Sequence, residues 1–223
     1  MIDLNTVKII LTVISGLCWT IVYIEGIRLG LRDRSYAIPF VALALNLAWE
    51  LLHTISGFQL GDRLQGTINA IWFLLDLGII FTYFKFGGKY SAGGLTRWMF
   101  VVWSAAVLAM AFAVEYAFTR EFGIFRGGAY AAFLQNLIMS VLFVQMLVSR
   151  GSREGQSLLL AVSKWIGTLA PTIQFGILNN LGLQQGHILI IVAGSFCCVF
   201  DLIYIGLLAK TSPQIHPEHS VVI

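Results

Sequence analysis

The sequence predicts an all-α integral membrane protein: a bundle of seven transmembrane helices, N-terminus outside and C-terminus cytoplasmic. Three observations predict it. The 223 residues are 58% hydrophobic and only 11% charged, whereas about a quarter of a soluble domain is charged. Apolar runs of roughly 20 residues, long enough to cross a hydrocarbon core, recur along the chain. Basic residues gather in alternate loops.

The first run, near residues 7–30, reads as a span rather than a cleaved leader. It lacks a basic flank at its start and a small-residue cleavage site. The second, near 36–55, follows the basic turn "RDRS" and contains "NLAWELLH", Asn46 to His53. The third (67–86) follows "SGFQLGDRLQG", the fourth (97–119) "FGGKYSAGGL", and the fifth (128–148) "TREFGIFRGG". The sixth (158–180) follows "SRGSREGQ" and the seventh (187–209) follows "GLQQG". Residues 1–210 form one domain without an internal repeat, and residues 211–223 form a short polar tail expected to be disordered.

Charge sets the expected orientation. Of the fourteen Lys and Arg, Lys8, Arg63, Arg120 and Arg126 fall on one side, and the remaining ten, Lys164 among them, on the other. The positive-inside rule places the ten in the cytoplasm. This basicity follows topology and forms no nucleic-acid stripe. Cys18, Cys197 and Cys198 lie in apolar runs without zinc or disulfide spacing and read as buried free thiols.

The eleven acidic residues divide. Asp3, Asp33, Asp62, Glu121, Glu154 and Glu218 fall in loops or tails. Glu25, Glu50, Asp76, Glu115 and Asp201 fall inside spans, where no Lys or Arg is expected. An ionised carboxylate at the bilayer centre costs about 3 kcal/mol on insertion scales. Unpaired acids there are expected to hold their protons and so to be able to donate them. Glu25 stands beside Arg28 and reads as a structural pair. Glu115, near the outer end, is equally readable as structural. Glu50, Asp76 and Asp201 are the functional candidates.

Helical spacing gives each acid neighbours. Asn46 and Glu50 share a face by their i, i+4 spacing, with Trp49 beside them. Trp72 lies four residues before Asp76, and Tyr204 three after Asp201. Gln135 and Asn136 add amides on the fifth span and Gln174 one on the sixth. Singly, a Trp at helical spacing is packing, and an intramembrane amide is interhelical glue. Turned inward together, Asn46, Trp49, Trp72, Glu115, Gln135, Asn136 and Tyr204 would line a cavity between helices.

Several chemistries lack their residues. A retinal protein needs a Schiff-base lysine mid-way along its last span, where this chain has Asp201. A diphosphate-ionising terpene synthase needs an Asp-rich cluster for Mg²⁺, and no DDxxD-like cluster exists. His53, His187, His216 and His219 form no metal-binding box. Carboxylic acids, amides and aromatic rings in an apolar cavity fit one reaction, acid-initiated cyclisation of a polyprenyl chain. A carboxylic acid protonates a terminal alkene or epoxide, aromatic faces stabilise the migrating cation, and a dry cavity protects it. No metal, cofactor or nucleic acid is called for. The expected partners are a prenylated small-molecule substrate and membrane lipid, and nothing specifies an oligomeric state.

The chain resembles the small integral-membrane terpene cyclases of meroterpenoid and indole-terpenoid pathways, the paspaline-B-type or Pyr4-type family. The resemblance covers most of the chain. It rests on length, span count, "NLAWE" on the second span and Asp201 in "FDLIYIG" on the last, with "WFLLD", ending at Asp76, as a further likeness. It implies that Glu50 and Asp201 protonate the substrate, a molecule already prenylated on an aromatic or alkaloid core. It also implies epoxide opening in fungal members and direct alkene protonation in bacterial relatives. The alternative is a proton-coupled transporter or proton-relay protein, which also uses unpaired intramembrane acids. Against it stands the lack of the inverted repeat that many transporters carry. A receptor or assembly protein with structural acids is a third reading.

Overall fold

The computed structural model describes residues 3–90, 96–179 and 187–211. The tail beyond residue 211, with His216 and His219, lies outside them. Seven helices follow in order: α1 (Leu4–Arg32), α2 (Phe40–Gln59), α3 (Arg63–Phe86), α4 (Arg97–Phe122), α5 (Ile124–Arg150), α6 (Leu158–Pro171) and α7 (His187–Lys210). All seven, with the π-helical turn Thr172–Ile177 continuing α6, are long and apolar enough to cross a membrane. The protein is an integral, multi-pass membrane protein.

Local chemistry sets the helix ends. The second helix begins at Phe40 rather than near residue 36, because Pro39 occupies its N-cap with extended geometry and a proline pushes the residue before it out of helical space. Gly123, at φ +79°, breaks the chain between α4 and α5. That conformation suits glycine, so α5 starts at Ile124, ahead of the expected position. Ser157 caps α6 by accepting from the Leu160 N–H at 3.1 Å. The sixth span is not one continuous helix: after Pro171 the chain widens into the π turn, the type of interruption that a proline's missing N–H invites.

Helix α2 is central. It packs on α3, α4 and α5, while α1 lies against α3 and α6, and α7 against α5 and α6. Half of α2's apolar span is buried inside the bundle, against 11% of α1's. Asn46 and Glu50 on α2 therefore face protein. Leu17, Leu74, Trp98 and Val148 stand on the outer surface, where lipid replaces water as the solvent.

The bundle has a basic end, held by local ion pairs. Arg28 grips Glu25 through two bonds of 2.6 and 2.7 Å, and the Ser157 hydroxyl donates to the same carboxylate at 2.8 Å. Glu25 is thus structural, as its spacing from Arg28 predicts. Arg32 pairs with Asp33, and Lys89 with Glu154.

One expectation fails. Lys164 is not a loop residue: it is fully buried, with its ammonium 2.8 Å from Asp201. It sits six residues into α6, roughly 9 Å along the axis. Counting residues from the loop assigned it to the interface, but its stem points into the bundle, where Asp201 and Ser140 satisfy it.

Candidate active site

The candidate site is built on α2. Asn46, Glu50 and His53 recur on one face of this helix, and that face borders a cavity of about 500 Å³ at the end of the bundle opposite the basic loops. Trp19 and Tyr23 reach it from α1, Trp72 from α3, Phe133 and Gln135 from α5, and Phe175 from the π turn. Apart from Glu50, His53 and several amides and hydroxyls, the inner wall is aromatic and aliphatic. Asp62 and Leu60, in the α2–α3 turn, stand at its rim.

A hydrogen-bond chain runs along the cavity floor. The amide nitrogen of Asn46 donates to the Asp76 carboxyl (Oδ2, 2.8 Å) and to the Tyr23 hydroxyl (2.8 Å). Tyr23 in turn donates to Glu50 Oε1 at 3.3 Å. Glu50 is 2% exposed and Asp76 is fully buried. Glu50 Oε2 and Asp76 Oδ1 have no hydrogen-bond partner among the described residues. A buried polar atom without a partner is costly, so each of these two oxygens calls for an explanation.

The aromatic wall is fixed from behind. Trp49 donates its indole N–H to the Gly128 carbonyl at 2.8 Å and stacks on His53 at 4.0 Å between ring centroids. His53 Nδ1 lies 2.9 Å from the Trp49 carbonyl, which can only accept, so Nδ1 carries the proton. The other ring nitrogen lies against Gly128, where an added Cβ would sit 2.2 Å away. Trp72 donates to the Thr20 hydroxyl at 3.1 Å. Rings locked in this way present fixed faces to the cavity.

The structure brings together Glu50, Asn46, Trp49, Trp72 and Gln135, all on the cavity wall, with Asp76 one hydrogen bond behind. The other candidates lie elsewhere. Asp201 accepts two bonds from Lys164, at 2.8 and 3.0 Å, and Ser140 completes the ammonium's shell at 2.6 Å. It is therefore a paired carboxylate outside the cavity lining, not the unpaired acid expected. Glu115 sits behind Gln135, whose amide nitrogen, assigned from its neighbours, faces Glu115 Oε1 at 3.2 Å and the Leu45 carbonyl at 3.1 Å. Asn136 donates to Thr168 at 3.0 Å, and Tyr204 to Gln156 at 3.0 Å. Glu115, Asn136 and Tyr204 thus lie away from the cavity wall, Glu115 and Asn136 turned to neighbouring helices and Tyr204 to the segment between α5 and α6.

Sequence reasoning missed Trp19 and Tyr23. They are i, i+4 on α1, a spacing that puts them on one face, and with Trp72 they make an aromatic cluster: Tyr23 lies 6.1 Å from each indole. Gln174, noted only as an amide, bonds Thr12 at 3.1 Å across the cavity rim.

The family model of the Pyr4-like transmembrane terpene cyclases matches residues 2–212. The Pyr4-family terpene cyclase mfmH of Annulohypoxylon moriforme is 32% identical over 171 residues, covering 74% of this chain and 68% of the relative. Terpene cyclase pyr4 of Aspergillus fumigatus is 25% identical over 210 residues, covering 90% and 85%. Terpene cyclase dpchB of Colletotrichum higginsianum is 29% identical over 158 residues, covering 70% and 64%. No solved structure matches. A match across nearly the whole chain, joined to a seven-helix bundle, makes this protein a member of the Pyr4-like transmembrane terpene cyclase family.

Proposed function

We propose that this membrane terpene cyclase acts without diphosphate ionisation, and that Glu50 starts the reaction by protonating a terminal alkene or epoxide of a prenylated substrate. One observation carries the reading: Glu50 stands in the wall of an apolar cavity beside Trp19, Trp49 and Trp72. The substrate class, a prenyl chain on an aromatic or alkaloid core, comes from the family resemblance. It suits a cavity whose exposed lining is mainly aromatic and aliphatic.

The chain's residues then divide the work. Glu50 gives its proton to the terminal carbon, or to the epoxide oxygen, and the internal alkenes attack in turn. The indole faces, held by the Thr20 and Gly128 hydrogen bonds, stabilise the positive charge as it moves. Apolar walls delay capture by water. Loss of a proton ends the cascade, and the net change is isomerisation. Asp76 anchors Asn46, and through it the chain to Glu50. Asp201 shapes the site at a distance, by fixing α6 against α7 through Lys164.

The test uses purified protein in detergent with a farnesylated aromatic probe, offered as the terminal alkene and as the terminal epoxide. Wild type should cyclise at least one. Glu50→Gln keeps the shape and hydrogen bonding but has no acidic proton, and should lose at least about 10²-fold in turnover. A folded Glu50→Gln protein that cyclises at the wild-type rate excludes Glu50 as the initiating acid.

A further inference from the structure

We infer that Tyr23 is a positioning residue for the initiating proton transfer: it selects the oxygen of Glu50 that delivers the proton and holds the carboxylate left behind. This rests on the reading of Glu50 as the acid. Donor and acceptor capacity sets the direction of each bond. A side-chain amide nitrogen only donates, so Asn46 Nδ2, at 2.8 Å, must donate to the Tyr23 oxygen. The single hydroxyl hydrogen of Tyr23 is then directed to Glu50 Oε1 at 3.3 Å. Asp76 fixes the same amide nitrogen with its Oδ2 at 2.8 Å, which keeps the amide from turning over. The polarity of the chain is thereby set, from Asn46 through Tyr23 to Glu50.

Glu50 Oε1 is an acceptor in this arrangement, so the proton of the neutral acid belongs on Oε2, the oxygen without a partner. Proton transfer breaks the Oε2–H bond and leaves its electron pair on the carboxyl group. The alkene π pair, or an epoxide lone pair, forms the new bond to hydrogen. The negative charge spreads to Oε1, where the Tyr23 hydroxyl already points. The proton lost from the final cation restores the acid, so the cycle balances. A donor in place before charge develops favours the transition state over the ground state.

Tyr23 is otherwise a packed ring, 2% exposed, between Trp19 and Trp72. Packing alone would be served equally by phenylalanine. The experiment therefore compares Tyr23→Phe with wild type and Glu50→Gln, all in detergent, with the same farnesylated aromatic probe. Tyr23→Phe should lose about 10²- to 10³-fold in kcat with KM little changed, in the range seen when one donor to a developing anion is removed. Asn46→Leu removes the group that orients the hydroxyl and should lower kcat in the same direction. Together the two variants keep the test decisive if one fails to fold, as judged by gel filtration and thermal unfolding. Wild-type kcat in folded Tyr23→Phe overturns the inference, as does a loss confined to KM. If Glu50→Gln turns over normally, or wild type converts no prenylated probe, the functional reading fails first and this inference with it.

Discussion

Lys164 Nζ stands 2.8 and 3.0 Å from the two carboxyl oxygens of Asp201, and both side chains are fully buried. The pair joins α6 to α7, and through Ser140 to α5. Removing both charges from a buried pair is often neutral, whereas removing one strands the other.

Single and double substitution of this pair should therefore differ in how much stability they cost. Lys164→Met leaves an uncompensated carboxylate and should destabilise the protein by about 3–5 kcal/mol. Lys164→Met with Asp201→Leu should recover most of that loss. Thermal unfolding in detergent measures both. The contrast with the cavity acid is part of the prediction: Asp201→Asn should lower stability and activity together, Glu50→Gln activity with stability nearly kept. An Asp201→Asn protein of wild-type stability that loses cyclisation would make Asp201 a participant in the chemistry.

Turnover should survive EDTA. The acids of the site, Glu50 and Asp76, are held by a phenol and an amide, not gathered into the carboxylate cluster that Mg²⁺-dependent diphosphate ionisation uses. Activity that chelation abolishes and Mg²⁺ restores would replace protonation as the initiating step.

The centre of the candidate site was legible because three of its cavity-lining residues share one helix, α2. Asn46, Trp49 and Glu50 lie within five residues, so helical periodicity alone groups them. The partners across the cavity were harder. Trp19 and Tyr23 sit on α1, whose 11% burial makes an inward aromatic stripe look like a lipid-facing one in sequence. Asp201 was misread for a related reason. Its partner is a lysine on another helix, and a lysine's four-carbon stem lets the charge lie far from where its backbone position suggests. The π turn was illegible because Pro171 announces a disturbance without specifying its geometry.

With Lys164 taken out of the loops, the basic residues stand nine against four, and the positive-inside rule still assigns the nine to the cytoplasm. A reporter fused after residue 210 should read cytoplasmic, and one inserted near Gly61, in the turn between α2 and α3, external. Gly61 is exposed, at φ +82°, with nothing within 4 Å of an added Cβ, so an insertion there should be tolerated. A cytoplasmic signal at Gly61 would reverse the orientation and place the cavity rim on the cytoplasmic side.

Gly128 offers a way to move the cavity wall without touching the acid. An added Cβ would lie 2.2 Å from His53 Nε2 and 3.0 Å from Cε1. His53 has little room to retreat, because its ring is stacked on Trp49 and its Nδ1 is bonded to the Trp49 carbonyl. Gly128→Ala should therefore displace the His53–Trp49 pair, at a cost of about 1–3 kcal/mol for overpacking. Trp49 lines the cavity, so its shift should change which cation the wall best stabilises. The expected outcome is substrate consumption with Glu50 intact, but with a product mixture enriched in partly cyclised rings. His53→Ala in the same background makes space for the new methyl and should restore the stability lost to the clash. Chromatography of the products and thermal unfolding read the two effects separately. Wild-type products from a destabilised Gly128→Ala protein would show that Trp49 packs the wall without steering the cascade.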